Sequence, residues 1–185
     1  MNLKELLLKK KKVILEKWFD LILESYQPVT SNFLKQEKNR FANPVGHIIS
    51  EGTEVLFDEL VYERDSDRVI SALDSIIRIR AVQDLMPSQA ISFVSLLKKA
   101  VREEVTRDEA CPASQREARG RWMMDDKSKM LFELLQFETK IDMLASLAFD
   151  IYLKCREEIY EIRVNEAKVS KDMALRLLKI MKQVD

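Results

Sequence analysis

An arginine set inside an apolar helical stripe is costly unless acceptors meet it, and this sequence contains one. In IIRIRAVQDLMPSQAISFVSLLKKAV, residues 76–101, a turn of ~100° per residue puts Arg80 amid Leu73, Ile76 and Ile77, with Asp84 one turn further on. Two kinds of chemistry suit that placement. Arg80 can pair with Asp84 and with carbonyls at the Met86–Pro87 break, which locks one angle between helices and adds specificity more surely than stability. Alternatively Arg80, together with Arg40 and Asp84, lines a pocket for an anionic ligand whose occupancy shifts the bundle.

The other reactive residue types are dispersed. One histidine, His47, cannot anchor a conventional zinc site, and it points away from the apolar stripe of its helix toward Glu51, not inward as a proximal haem ligand must. Cys111 and Cys155 lie far apart without metal-like spacing, so reduced thiols are expected. Cys111, beside Pro112, becomes a redox sensor only if Arg107 lowers its pKa. The Asp125–Asp126 pair sits at a helix start, where the dipole favours carboxylates without catalysis. Trp122, Met123 and Met124 read as core or interface. Phosphate-binding, dinucleotide, zinc-protease and nucleophile-elbow motifs are absent, as is the Glu-x-x-His pair of a di-iron bundle. No nucleophile, base and oxyanion donor come together, so the expectation is a non-enzyme without a cofactor.

The elements that must hold these residues are helices. Of 185 residues, 46% are apolar and 34% charged, and only three glycines and four prolines are available for turns. A β-sandwich or barrel needs more turns than that, and the length suits one domain with a sizeable core. Equal numbers of acidic and basic residues leave no global basic field for nucleic acid. The longest uncharged apolar runs fall far short of a membrane span, and the N-terminus has no secretory stretch, so a cytoplasmic location is expected.

Along the chain, Leu3, Leu7, Ile14, Trp18, Leu21 and Ile22 predict a first helix over 2–25, on which KKKK (9–12) sweeps every side. A short helix over 30–42 follows. The next, 43–62, opens with Asn43 as cap and Pro44 at the first helical position, and its core stripe is Val45, Ile48, Ile49, Val55, Leu56 and Leu60. DSD (65–67) caps the helix of Arg80, whose outer face pairs Asp74 with Arg78. Met86 supplies no cap acceptor to the following helix, and Gln89 can reach back in its place. A polar stretch, 106–120, reads as loop or frayed helix.

From Asp125 to Asp185 there is neither glycine nor proline. Apolar residues of 130–152 cover more than one face, which predicts a helix surrounded by others. Beyond Leu153 they thin to Cys155, Ile159, Ile162, Val169, Met173, Leu177 and Ile180, heptad-like except at Glu166. A helix of ~60 residues is ~90 Å long, more than a compact domain can cover. Either it breaks, or its end projects and pairs as a coiled coil with a second copy. The expected division is a bundle over 1–153 and a helical continuation over 154–185.

Three stretches, RFANP (40–44), IRAVQDLMPSQAISFVSLLK (79–98) and FDIYLKCREEIYEIRVNEAK (149–168), resemble the helical domain at the N-terminus of the RsbT co-antagonist RsbRD. The resemblance spans most of residues 3–168, and R-A-V-Q-D-x-x-P-S-Q-A is its most specific part. It implies an all-α input bundle, globin-like without haem in a related family, that regulates stress signalling by protein–protein contact. In two-part members a C-terminal STAS domain meets the kinase. None is present up to Asp185, so a free-standing sensor or adaptor is expected. Stand-alone relatives encoded near a membrane-bound respiratory complex suggest a structural adaptor of such a complex as the alternative, with membrane contact only through that partner.

Overall fold

Proline and short polar side chains set most helix starts in this chain. The structure, a computed structural model, describes residues 2–109 and 124–184 other than 38, 64 and 84, with side-chain surroundings for 2–107, 128–174 and 176 within those limits. Its helices are α1 (Leu3–Lys9), α2 (Lys11–Leu23), α3 (Pro28–Gln36), α4 (Pro44–Tyr62), α5 (Ser66–Val82), α6 (Pro87–Glu109) and α7 (Met124–Val184), with no strand among the described residues. The fold is the expected all-α bundle with a long C-terminal helix. Asp84, Cys111, Trp122 and Met123 lie outside the described residues. So do the side chains of Met124, Asp125, Asp126, Leu177 and Ile180.

The anticipated caps form. The Asn43 side chain accepts from the Gly46 amide (2.8 Å) and donates to the Leu34 and Glu37 carbonyls (2.9 Å each), fastening the end of α3 to the start of α4. Asp65 accepts from the Asp67 amide, and Gln89 accepts from the Met86 amide at 3.1 Å, covering the cap position that methionine leaves empty. At its other end α4 closes on Glu63 in a left-handed conformation (φ 54°), unusual for a residue with a Cβ, and the Lys140 ammonium of α7 pairs with its carboxylate.

Two boundaries differ from the sequence expectation. The first helix breaks at Lys10 (φ −103°, ψ 9°), without glycine or proline. Lys10 reaches α6, donating to the Glu104 carbonyl at 3.0 Å, while α1 turns onto α7, where Glu133 accepts from the Leu3 amide at 2.7 Å. Long-range contacts at both ends outweigh the continuity of one helix. Pro28, expected in a loop, opens α3, which stops at Gln36 because the Asn43 side-chain Nδ2 takes the Leu34 and Glu37 carbonyls at its end. The lysine run divides its labour: Lys10 turns to Glu104, Lys11 bridges Glu54 and Asp58, and Lys12 and Lys9 face solvent.

The core forms where α7 meets α5 and α6, α4 meets α5, and α2 meets α6. Trp18 is fully buried, its indole N–H donating to the Phe93 carbonyl at 2.6 Å. On α7 one side is buried, through Met130, Phe137, Ile141, Leu144, Ala148, Tyr152 and Cys155. The expectation that 130–152 is surrounded does not hold. Leu131, Phe132, Leu135, Met143, Phe149 and Leu153 on the other side are exposed, because α5 and α6 reach only the inner surface.

Candidate functional site at the arginine junction and along the long helix

Arg80 ends α5 facing inward and is 1% exposed. Its Nε donates to the Ala90 carbonyl (2.9 Å) and Nη2 to the Gln89 carbonyl (2.9 Å), both in the first turns of α6. Nη1 donates to the Tyr26 hydroxyl (3.2 Å), and Nη2 approaches Ser25 Oγ at 3.4 Å, just past the end of α2. The Tyr26 and Phe93 rings lie 5.4 and 5.8 Å from the guanidinium carbon. Burial lowers the Arg80 pKa, with the Tyr26 hydroxyl acting the other way, yet a guanidinium stays charged at any physiological pH. The planar fork therefore joins α5, α6 and the α2–α3 turn at one point. Carbonyls meet it as expected, though of Gln89 and Ala90 rather than at the Met86–Pro87 bond. The contribution of Asp84 lies outside the described residues.

Arg40 is exposed, 3.7 Å from Glu51 on α4, so these contacts do not bring it to Arg80. His47 lies 3.9 Å from the same Glu51, on the outer side of α4. No group of three or more His, Cys, Asp or Glu residues is placed to hold a metal among the described residues. A cleft of about 320 Å³ between α1, α4 and α7 carries Lys4, whose ammonium lies 5.1 Å from the Tyr62 ring, and the Lys140–Glu63 pair.

Among the described residues, three ties fix α7 where it leaves the bundle. The Tyr152 hydroxyl donates to the Leu85 carbonyl (2.9 Å), Arg156 donates to the Ala81 carbonyl (3.2 Å), and Arg78 bridges Asp74 (2.7 Å) and Glu158 (3.2 Å). The hydrogen bond to Asp74 and its charge, above all, raise the Arg78 pKa above its ordinary range. All three end on α5 or the α5–α6 turn, beside Arg80. Sequence reasoning found the Asp74–Arg78 pair but not its extension to Glu158, since partners 80 residues apart leave no local signal.

The heptad-like residues divide at this exit. Cys155 is buried against the bundle, where desolvation raises its thiol pKa, and Ile159 packs partly on the core. Beyond them Ile162 (58%), Val169 (62%) and Met173 (61%) are exposed, with Tyr160. At ~100° per residue the inner side of α7 and these three residues form one continuous arc. Leu177 and Ile180 continue it by spacing. The opposite arc is the exposed set from Leu131 to Leu153.

An all-α module with a last helix running beyond its own core, and with no helix among the described residues long and apolar enough to cross a membrane, is what the geometry defines. Residues 12–167 match the family model of the RsbT co-antagonist protein rsbRD N-terminal domain, and the chain belongs to that family. It is also similar to an uncharacterized protein of Archaeoglobus fulgidus, 24% identical over 171 residues that make up 91% of each chain. No solved structure matches the chain.

Proposed function

We propose that this chain is a non-enzymatic regulatory module of prokaryotic stress or respiratory signalling. It works in the cytoplasm by protein–protein contact, and the part of α7 beyond Ile159 engages the partner. The observation that carries this reading is the uncovered stripe of Ile162, Val169 and Met173 on a helix clamped at its exit. A solvated helix gains nothing from three large apolar side chains, whereas a helix-in-groove partner buries them. Family membership supports the signalling role, and the family match continues to residue 167, past the point where the bundle ends.

Affinity capture from native cell extract, with captured proteins identified by mass spectrometry, tests it. The full chain is compared with its Ile162→Asp/Val169→Asp variant. Recovery of a kinase or STAS-domain protein by the wild type and its loss from the variant are expected. Recovery that is equal for both proteins refutes the assigned surface. Capture of redox subunits alone replaces signalling with a structural role on a respiratory complex.

A further inference from the structure

The outer face of α7 within the bundle has an order that the regulatory reading leaves unused. Leu131, Leu135, Phe149 and Leu153 fall within ~40° of one another around the helix, with Phe132 and Met143 on one flank. Their exposures run from 39% at Phe149 to 67% at Met143. Read from either end the face is nearly the same. Phe132 and Leu135 mark one end, Phe149 and Leu153 the other, and Thr139 and Ser146, both small and exposed, lie between. The ends are ~32 Å apart, long enough for a helix pair.

We infer that this face binds a second copy of the chain, antiparallel, about a twofold axis passing near Asp142 and Met143. The axis lays Phe132 and Leu135 of one copy over Phe149 and Leu153 of the other, and a twofold repeats that contact at the far end. The small residues at 139 and 146 let the helices approach in the middle. Charge fits the same arrangement: Lys129 meets Glu157 of the second copy at both ends. Neither of these exposed side chains has a partner among the described residues. Asp142, close to the axis, is already neutralised by Lys98 at 2.6 Å. The sequence expectation placed the second copy on the inner stripe of the tail. Here the tail stripe remains open to a different partner, so this inference stands independently of the regulatory reading.

Light scattering on the full chain is expected to give twice the 21.7 kDa of one copy. Leu135→Glu/Phe149→Glu should give a single copy with an unchanged circular dichroism spectrum, since both side chains are exposed. Ile162→Asp/Val169→Asp should leave the dimer intact, which separates this inference from the reading of the tail. Lys129→Glu should weaken the dimer roughly five-fold, as two exposed ion pairs imply, and adding Glu157→Lys should restore it. In a Cys111→Ser background, Thr139→Cys and Ser146→Cys proteins should cross-link when mixed and oxidised, and neither should cross-link alone. A monomeric wild type, a dimer lost only in the tail variant, or cross-linking of each cysteine variant with itself would overturn the proposal.

Discussion

Replacing Arg80 measures what the three-way junction contributes. Its two bonds to helix carbonyls are charge-assisted, each about 1.5–3 kcal/mol in net terms, and the guanidinium's own desolvation offsets several kcal/mol of that sum. The Gln89 and Ala90 carbonyls keep their helical partners, so among the described residues truncation orphans mainly the Tyr26 hydroxyl. It also opens a void between the Tyr26 and Phe93 rings, adding to the cost in proportion to its volume. Arg80→Ala should therefore cost about 2–5 kcal/mol. Arg80→Met fills the void without the charge and should cost about 1–2 kcal/mol, while Arg80→Lys, a point charge without the fork, should fall between them. Urea unfolding followed by circular dichroism gives the three values. In a double-mutant cycle Arg80→Met and Tyr26→Phe should couple by about 0.5 kcal/mol or more. The reasoning fails if alanine costs less than about 1 kcal/mol, if methionine is no better than alanine, or if the cycle is additive.

Other perturbations follow from the packing. Trp18→Phe removes the indole bond to the Phe93 carbonyl and part of a filled core, and should cost about 2–3 kcal/mol in the same unfolding assay. A methyl group on Gly46 runs into the Asn43 carboxamide, and three hydrogen bonds hold that group, so Gly46→Ala should destabilise by about 1–3 kcal/mol. At Gly52 the obstacle is the movable tip of Ile76 at 2.7 Å, and the helix propensity of alanine offsets it, so Gly52→Ala should change stability by less than about 1 kcal/mol. The Arg102 guanidinium, at 2.5 and 2.6 Å, holds the Glu138 carboxyl below the ordinary carboxylate range. A carboxyl depressed by folding stabilises fully above its unfolded pKa and loses that contribution as pH falls through the folded one. Unfolding free energies measured down the acid limb should therefore fall less steeply for Glu138→Gln than for the wild type.

Local chemistry made the caps readable. Asn43, Asp65 and Gln89 accept from backbone amides within three residues, so the short segment contains what the caps need. The break at Lys10 was hidden because its cause, Glu104, is 94 residues away. Arg80 was legible as an anomaly, since periodicity placed it inside. Its described partners Ser25 and Tyr26, 55 and 54 residues distant, were not. The long helix misled in a specific way. Hydropathy records that two sides are apolar but not which side its own bundle covers, and one unbroken inner arc concealed that Cys155 and Ile159 belong to the core while Ile162 does not.

The ties at Tyr152, Arg156 and Glu158 make the exit of α7 a fulcrum. From Ile159 to Val184 the helix extends ~38 Å, and a rotation of about 5° at the fulcrum moves its tip by roughly 3 Å, the width of a hydrogen bond. The fastenings sit on the Ala81 and Leu85 carbonyls and on Arg78, the same short span that carries Arg80. By lever geometry alone, a shift there too small to disturb the core becomes a movement the size of a hydrogen bond at the far end of α7.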